Sequence, residues 1–226
     1  MAEGWNKDWP RWVSLGFLGI SLIIVASLFG NPLPADGFVA GNLTNESAWL
    51  MRFQWSWIPR FGISVELGLD GLSLLMVGLT VFLGIVAVVS SWSEIDHRPG
   101  FFQFNLMWTL AGVVGVFVSL DLFLFFFFWE VMLIPMYLLI AVWGHEDRNY
   151  ASMKFFLFTQ ISGMLMLVAI LSLVFIHHGT TGVYTFSYFD LLGTELQDTV
   201  AFWLMLGFFI AFVVKLPGFP FHPWLA

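Results

Sequence analysis

The stretch that decides the fold is DLFLFFFFWEVMLIPMY, residues 121–137, in which one acid, Glu130, lies within an almost unbroken run of apolar side chains. Such a run is typical of a helix that crosses a lipid bilayer, which needs about 20 apolar residues. At helical rise, Glu130 would lie ~15 Å from the end of that helix, near the bilayer midplane. A charge at this depth costs about 2.5–3.5 kcal/mol on insertion scales, so we expect the acid to have a function and a partner.

A structural alternative is a protonated Glu130 that hydrogen-bonds to a neighbouring helix and only supports packing. Pro135 favours a functional role, because it cannot donate a hydrogen bond to the carbonyl of Val131 and so loosens the helix one turn past the acid. Loosened backbone at membrane depth is tolerated where water or polar protein groups can reach it.

The rest of the chain resembles this stretch in composition. Of its 226 residues, 59% are hydrophobic and only 10% are charged, against about 25% in soluble domains. The sequence therefore predicts an all-α, polytopic transmembrane helix bundle, a single membrane domain over 1–226 with about six spanning helices. The predicted spans are 12–30, 70–92, 101–119, 121–143, 153–176 and 201–221.

Composition also excludes several functions. The chain has no cysteine, so it offers neither a disulfide framework nor Cys ligands for an iron–sulfur cluster. A net charge of −7 argues against nucleic-acid binding. We find no phosphate loop, dinucleotide fingerprint, Ser/His/Asp set or metal-ligand cluster, and the His177–His178 pair is too little for a metal site.

Basic residues outside the spans predict the orientation. Those at the N-terminus and in the second and fourth connections fall on one side of the membrane, and two others fall on the opposite side. The first group is Lys7, Arg11, Arg98, Arg148 and Lys154, and the second is Arg52 and Arg60. This distribution favours a multi-pass membrane protein with the N-terminus of this chain in the cytoplasm.

The longest connection, 31–69, predicts a short β-hairpin on the outer surface. Apolar and polar residues alternate in two runs, around Trp55 and around Val65, and Pro59 and Gly62 lie between the runs. The second outer connection, 177–200, is polar and Gly-rich and is predicted as a loop.

The partner that we predict for Glu130 is Lys215, the only basic residue deep within a span. Three prolines follow it at three-residue spacing, so regular helix should end near Leu216. Broken helices at membrane depth line cavities or ion sites. Snorkelling of Lys215 to a nearby interface is the alternative. His222 lies in the broken segment and could relay protons or could be structural.

A buried Glu/Lys pair can act in a pump. Opposite charges ~4 Å apart attract by about 4 kcal/mol at an effective dielectric near 20, so opening or closing the pair changes how tightly each partner holds a proton. A permanent structural ion pair is the alternative.

Other polar positions in the spans carry weaker predictions. Lys154 snorkels or feeds protons in from the cytoplasm. Polar and small residues that follow it are predicted to serve helix packing. Asp70 and Asp121 lie at span ends and are predicted to be interfacial or helix-capping acids. The packing residues are Thr159, Gln160, Ser162 and Gly163.

Four stretches carry a family resemblance: WIPRFGISVELGLDGLSLLMV (57–77), FFFFWEVMLIPMYLLIAVWG (125–144), KFFLFTQISG (154–163) and LMLGFFIAFVVKLPGFPFHPWL (204–225). They resemble the antiporter-like proton-channel subunits of respiratory complex I, the NADH:quinone oxidoreductase. The WExMLIPMYLLI form favours the M-type subunits, which correspond to subunit 4 of the mitochondrial enzyme. The resemblance covers residues 9–225.

The resemblance implies a proton-translocating subunit in which Glu130 and Lys215 act together, with Lys215 on a discontinuous helix. It implies no cofactor in this chain, with NADH, FMN, iron–sulfur clusters and quinone in partner subunits. The implied partners are other complex I membrane subunits, the lipid bilayer and protons. Family members have more spans, so the resemblance also implies that this chain is partial relative to the family. Two other functions stay open, a cation/proton antiporter subunit and a structural or assembly subunit.

Overall fold

The computed structural model describes residues 8–30 and 49–225, and within them six stretches are long and apolar enough to cross a membrane. The predicted all-α membrane bundle is therefore confirmed. The helices are α1 (Trp9–Phe29), α2 (Gly71–Ser90), α3 (Pro99–Val118), α4 (Leu122–Val131), α5 (Leu133–Trp143), α6 (Arg148–Thr181), α7 (Tyr188–Leu191) and α8 (Asp198–Lys215). Helices α4 and α5 together form one span, and α7 is too short to be one.

The predicted hairpin is confirmed in the described part of the 31–69 connection, while residues 31–48 lie outside the described ranges. Strands β1 (Met51–Ile58) and β2 (Ile63–Leu69) pair antiparallel, joined by a short 3-10 turn at Pro59–Phe61. Gly62 follows the turn with φ +68°, a conformation that favours glycine. A Cβ at Gly62 would also collide with the backbone of Tyr184, so the turn is pressed against the α6–α7 loop.

Two acids begin helices, as predicted. Asp70 caps α2 by accepting from the Ser73 amide at 2.7 Å, and Asp121 caps α4 by accepting from the Phe123 amide at 2.9 Å. The second carboxylate oxygen of Asp121 accepts from the amide of Ser64 in β2 at 2.9 Å. The cap of α4 therefore also holds the hairpin.

The opposite end of the bundle is closed by polar and aromatic contacts. Arg11 donates to the carbonyl of Ile95 at 2.7 Å, and the Trp143 indole donates to the carbonyl of His97 at 2.9 Å. These contacts bring the start of α1, the α2–α3 connection and the end of α5 together. The connections thus alternate between the two ends, as a multi-pass bundle requires.

Helices α6 and α8 approach each other at a small residue. A Cβ at Gly207 of α8 would lie 3.1 Å from the Cβ of Ala169 in α6. Lipid offers no hydrophobic drive between helices, so close packing at small residues holds such a pair together. A buried apolar cluster that joins α4, α6 and α8 includes Trp129, Met166 and Ala211.

Two span predictions and one loop prediction were wrong in their limits. Helix α6 runs over Arg148–Thr181 rather than 153–176, and α8 over Asp198–Lys215 rather than 201–221. The 177–200 connection is therefore partly helical, because α6 continues to Thr181. Gly182, at φ +75°, ends the helix, and its amide donates to the carbonyl of His178 at 2.8 Å. The residues at both ends of α6 are polar but helical, so a prediction from apolar residues alone made this helix too short.

Candidate functional site

The helix that carries Glu130 is interrupted two residues after it. Helix α4 ends at Val131 and α5 begins at Leu133, so the break lies at Met132, three residues before the buried Pro135. Without an N–H at Pro135, the carbonyl of Val131 has no i+4 donor. The predicted loosening next to the acid is therefore present.

Glu130 points from α4 onto the middle of α6. Its Oε1 atom is inaccessible to solvent and accepts no hydrogen bond within the described residues. The carboxylate lies directly against Gly163, where an added Cβ would be 3.1 Å from its Cδ atom, and the side chain of Gln160 interacts with it. One carboxylate oxygen is thus left inside the bundle without a proton donor.

Lys215 is the last residue of α8, and the predicted end of this helix near Leu216 is confirmed. The chain turns there, with Gly218 donating back to the carbonyl of Val213 at 2.9 Å. The Nζ atom of Lys215 is inaccessible to solvent and, among residues 8–30 and 49–225, has no hydrogen-bond partner. It lies 5.1 Å from the centre of the Trp129 ring, the residue before Glu130, in cation–π geometry.

Glu130 and Lys215 interact electrostatically without touching. In the described part of the chain, ion pairs with N···O of 4.0 Å or less join Arg11 to Asp8 and Arg52 to Glu66, and none joins Glu130 to Lys215. The carboxylate oxygens of Glu130 and the Nζ atom of Lys215 are therefore more than 4.0 Å apart, while Oε1 and Nζ are both inaccessible to solvent. We call Glu130 and Lys215 the open pair.

The other two predicted site residues lie away from this pair. His222 begins a short 3-10 turn, His222–Trp224, where its exposed ring stacks on Phe219 with centroids 5.8 Å apart. Lys154 lies in the second turn of α6, with Nζ 5.5 Å from the Tyr150 ring centre, beside a cavity of about 260 Å³. The structure brings neither residue into contact with Glu130.

Sequence reasoning missed three neighbours of the pair. The sequence prediction does not include Trp129, although its position next to Glu130 indicates that it could lie close to the pair. It assigns Gln160 and Gly163 to helix packing alone. The i, i+3 spacing of Gln160 and Gly163 puts both on one face of α6, which is the available signal. Nothing in the sequence, however, says that this face meets Glu130.

The comparisons with known proteins agree with this architecture. A family profile described as NADH:quinone oxidoreductase/Mrp antiporter, TM matches residues 119–226. NADH-quinone oxidoreductase subunit M of Escherichia coli is 52% identical over 99% of this chain. Residues 119–226 therefore match the membrane domain of this family, and nearly the whole chain is similar to subunit M.

Other known proteins are similar to this chain in sequence or in fold. Subunit M of Pseudomonas aeruginosa is also 52% identical, over the whole chain. A chain of Thermus thermophilus respiratory complex I with bound NADH is 31% identical and matches 95% of this chain with a TM-score of 0.77. A chain of the Mrp complex of Dietzia matches 97% of it with a TM-score of 0.74 but only 17% identity, which shows a shared fold.

The match covers part of each relative. This chain spans 44% of the E. coli subunit, 45% of the P. aeruginosa subunit, 41% of the T. thermophilus chain and 22% of the Dietzia chain. These similarities confirm the resemblance drawn from the sequence motifs. The profile match covers the part of the chain that carries the Glu130 and Lys215 helices.

Proposed function

We propose that this chain translocates protons as an M-type membrane subunit of an NADH:quinone oxidoreductase, with Glu130 and Lys215 as the groups that carry the proton. In this proposal its residues form one membrane domain. The neighbours are other antiporter-like subunits and the lipid bilayer, and NADH, FMN, iron–sulfur clusters and quinone are held by partner subunits. The similarity to subunit M of E. coli and P. aeruginosa supports this assignment.

The observation that carries the proposal is the open pair. Glu130 Oε1 and Lys215 Nζ are both shut off from solvent, both lack a hydrogen-bond partner in the described residues, and still sense each other's charge. A buried structural ion pair is stable only with close contact and satisfied hydrogen bonds. An unsatisfied pair at a helix break is better suited to change its separation.

The coupling follows from Coulomb's law. At an effective dielectric near 20, two unit charges attract by about 2 kcal/mol at 8 Å and by about 4 kcal/mol at 4 Å. A closure of the pair by a few ångströms therefore changes the free energy of proton binding by about 2 kcal/mol, a factor of roughly 30 in affinity. Movement at Met132, where the helix is already interrupted, would supply such a displacement.

The remaining predicted residues extend this path. Lys154, at the start of α6, takes up protons on the side that holds the start of α1, and His222 relays them beyond Lys215. We propose that this side faces the cytoplasm of a bacterial inner membrane. The basic residues of the sequence favour that orientation.

Two other functions remain as rivals. A cation/proton antiporter subunit is compatible with the name of the matching profile, but the 52% identity to subunit M favours the oxidoreductase. A purely structural subunit is compatible with a buried polar pair, but it would gain more from direct Glu130–Lys215 contact.

Replacing Glu130 by Gln in the assembled membrane complex that holds this chain tests the proposal. Membrane vesicles are assayed for quinone reduction by NADH and for proton pumping, and assembly is followed on native gels. We expect both activities to collapse while assembly persists, and Lys215→Ala to behave alike. The exposed acid Glu94 provides a matched control, since Glu94→Gln removes a charge far from the pair.

Each rival predicts a different outcome. Normal pumping by Glu130→Gln would contradict the proposal and favour a structural role. Normal pumping by Lys215→Ala would exclude the lysine as a carrier. If a sodium gradient, rather than pH alone, drove or inhibited transport in these vesicles, the antiporter function would be favoured.

A further inference from the structure

The Glu130 carboxylate occupies the space on α6 that a side chain at Gly163 would fill. An added Cβ at Gly163 would collide with Glu130 Oε1 and would lie 3.1 Å from Cδ and 3.8 Å from Oε2. Gly163 lies in the interior of a long helix, where alanine would be the better helix former. Its backbone does not require the left-handed region, so the missing side chain is what this position contributes.

Gln160 completes this surface one turn earlier on α6. Its side chain interacts with the Glu130 carboxylate, while Oε1, the oxygen against Gly163, receives no hydrogen bond within the described chain. The neighbouring hydroxyls are engaged elsewhere: Thr159 donates to the Phe155 carbonyl at 2.7 Å and Ser162 to the Thr159 carbonyl at 2.9 Å. Gln160 is therefore the polar α6 side chain that is free to hold the acid.

We propose that Gly163 and Gln160 are positioning residues that fix where the Glu130 carboxylate lies relative to Lys215. Gly163 provides the space and Gln160 provides the contact that orients the group. This inference rests on the proposed function, because position matters only if Glu130 carries protons. A methyl group at Gly163 would push the carboxylate off α6 by about an ångström or more, and displacements of that size at reacting groups cost up to about 10²-fold in rate.

The test replaces Gly163 by Ala in the assembled complex. We expect pumping and quinone reduction to fall about tenfold or more, with assembly retained. Gly179 is the matched control, because it lies on the same helix with nothing within 4 Å of an added Cβ. Gly179→Ala should leave both activities unchanged.

A rescue experiment separates positioning of Glu130 from ordinary helix packing. Asp in place of Glu130 shortens the side chain by one methylene and withdraws the carboxylate from the new methyl group. We expect the Gly163→Ala/Glu130→Asp double variant to pump several-fold faster than Gly163→Ala alone. If Gly163 only spaced helices, Glu130→Asp would give no rescue.

A second readout reports on the carboxylate itself. A hydrophobic carbodiimide modifies protonated carboxyl groups in apolar surroundings, and mass spectrometry measures its rate of attachment to Glu130. We expect Gly163→Ala and Gln160→Leu to change this rate severalfold and Gly179→Ala to leave it unchanged. This measurement needs assembly but no turnover.

The outcomes distinguish this inference from the function beneath it. Normal pumping and labelling by Gly163→Ala, with Glu130→Gln inactive, would overturn the positioning role and leave the proposed function intact. Normal pumping by Glu130→Gln would remove the proposed function first. If Gly163→Ala failed to assemble, unchanged pumping and labelling by Gln160→Leu would count against the inference, and altered values would support it.

Discussion

The hairpin contains a buried ion pair with very unequal exposure. The Glu66 side chain is 0% exposed, and Arg52 donates to its Oε1 atom through Nη2 at 2.5 Å and through Nε at 3.1 Å. The Arg52 side chain is 32% exposed and its guanidinium lies 4.4 Å from the centre of the Phe189 ring. If Glu66 is removed, water can reach the Arg52 guanidinium, whereas if Arg52 is removed, the Glu66 carboxylate stays buried without a cation.

This asymmetry predicts unequal effects of two substitutions. Arg52→Met leaves a fully buried carboxylate without its cation, and breaking a buried pair in this way costs about 3–5 kcal/mol. Glu66→Gln keeps the shape of the side chain but removes the charge that pairs with Arg52. Because the Arg52 side chain is 32% exposed, water can solvate it, and we expect a loss of stability of about 1 kcal/mol. The double variant Arg52→Met/Glu66→Leu should lie within about 1 kcal/mol of the parent, because paired apolar replacement is nearly neutral.

Hydrogen exchange of the hairpin amides, 51–69, measures these differences as the free energy of local opening. We expect Arg52→Met to speed exchange by roughly 10² to 10³ or more and Glu66→Gln by less than about tenfold. Equal effects of the two single variants would refute the reasoning. So would a double variant as unstable as Arg52→Met, since the cost would then not come from the stranded charge.

Two further substitutions test other contacts. Trp129→Leu removes the ring beside Lys215 and about 2 kcal/mol of cation–π attraction, so proton pumping should fall severalfold. Trp129→Phe keeps a ring and should retain most of the pumping. Equal losses in the two variants would contradict a cation–π role for Trp129. Gly62→Ala should speed exchange of the Phe186 amide, which donates to Gly62 at 3.2 Å, by about tenfold or more. Gly193→Ala is the control, because Gly193 also has a positive φ of +78° but no atom lies within 4 Å of an added Cβ. If the Phe186 amide exchanged equally fast in both variants, the collision of the Gly62 Cβ with Tyr184 would be excluded as the cause.

Spans and helix breaks were predictable because both depend on short stretches of sequence. A run of about 20 apolar residues specifies a spanning helix without reference to its neighbours. Pro135 and the prolines after Lys215 remove backbone donors wherever they fall, so the breaks at Met132 and Leu216 follow from residue type. The β-hairpin followed in the same way from alternation and turn residues.

The surroundings of the acid could not be predicted, because they depend on which helix faces which. Gln160 and Gly163 have the spacing of ordinary packing residues, and only the approach of α4 to α6 puts the carboxylate between them. The separation of Glu130 and Lys215 is equally a property of packing. Sequence reasoning could name the two charges but not that they lie apart.

The two ends of α4 are held very differently, and this difference bears on how Glu130 could move. At its start, Asp121 accepts from the amides of Ser64 and Phe123, and Leu120 donates to the carbonyl of Glu66 at 2.8 Å, so the hairpin anchors this end. At its other end the helix is interrupted at Met132, two residues after Glu130. A displacement of the acid would therefore be taken up at the break, because rotation at the anchored end must disrupt several buried hydrogen bonds. The site thus joins an anchored helix start to an interrupted helix end, with Glu130, the proposed proton carrier, beside the interruption.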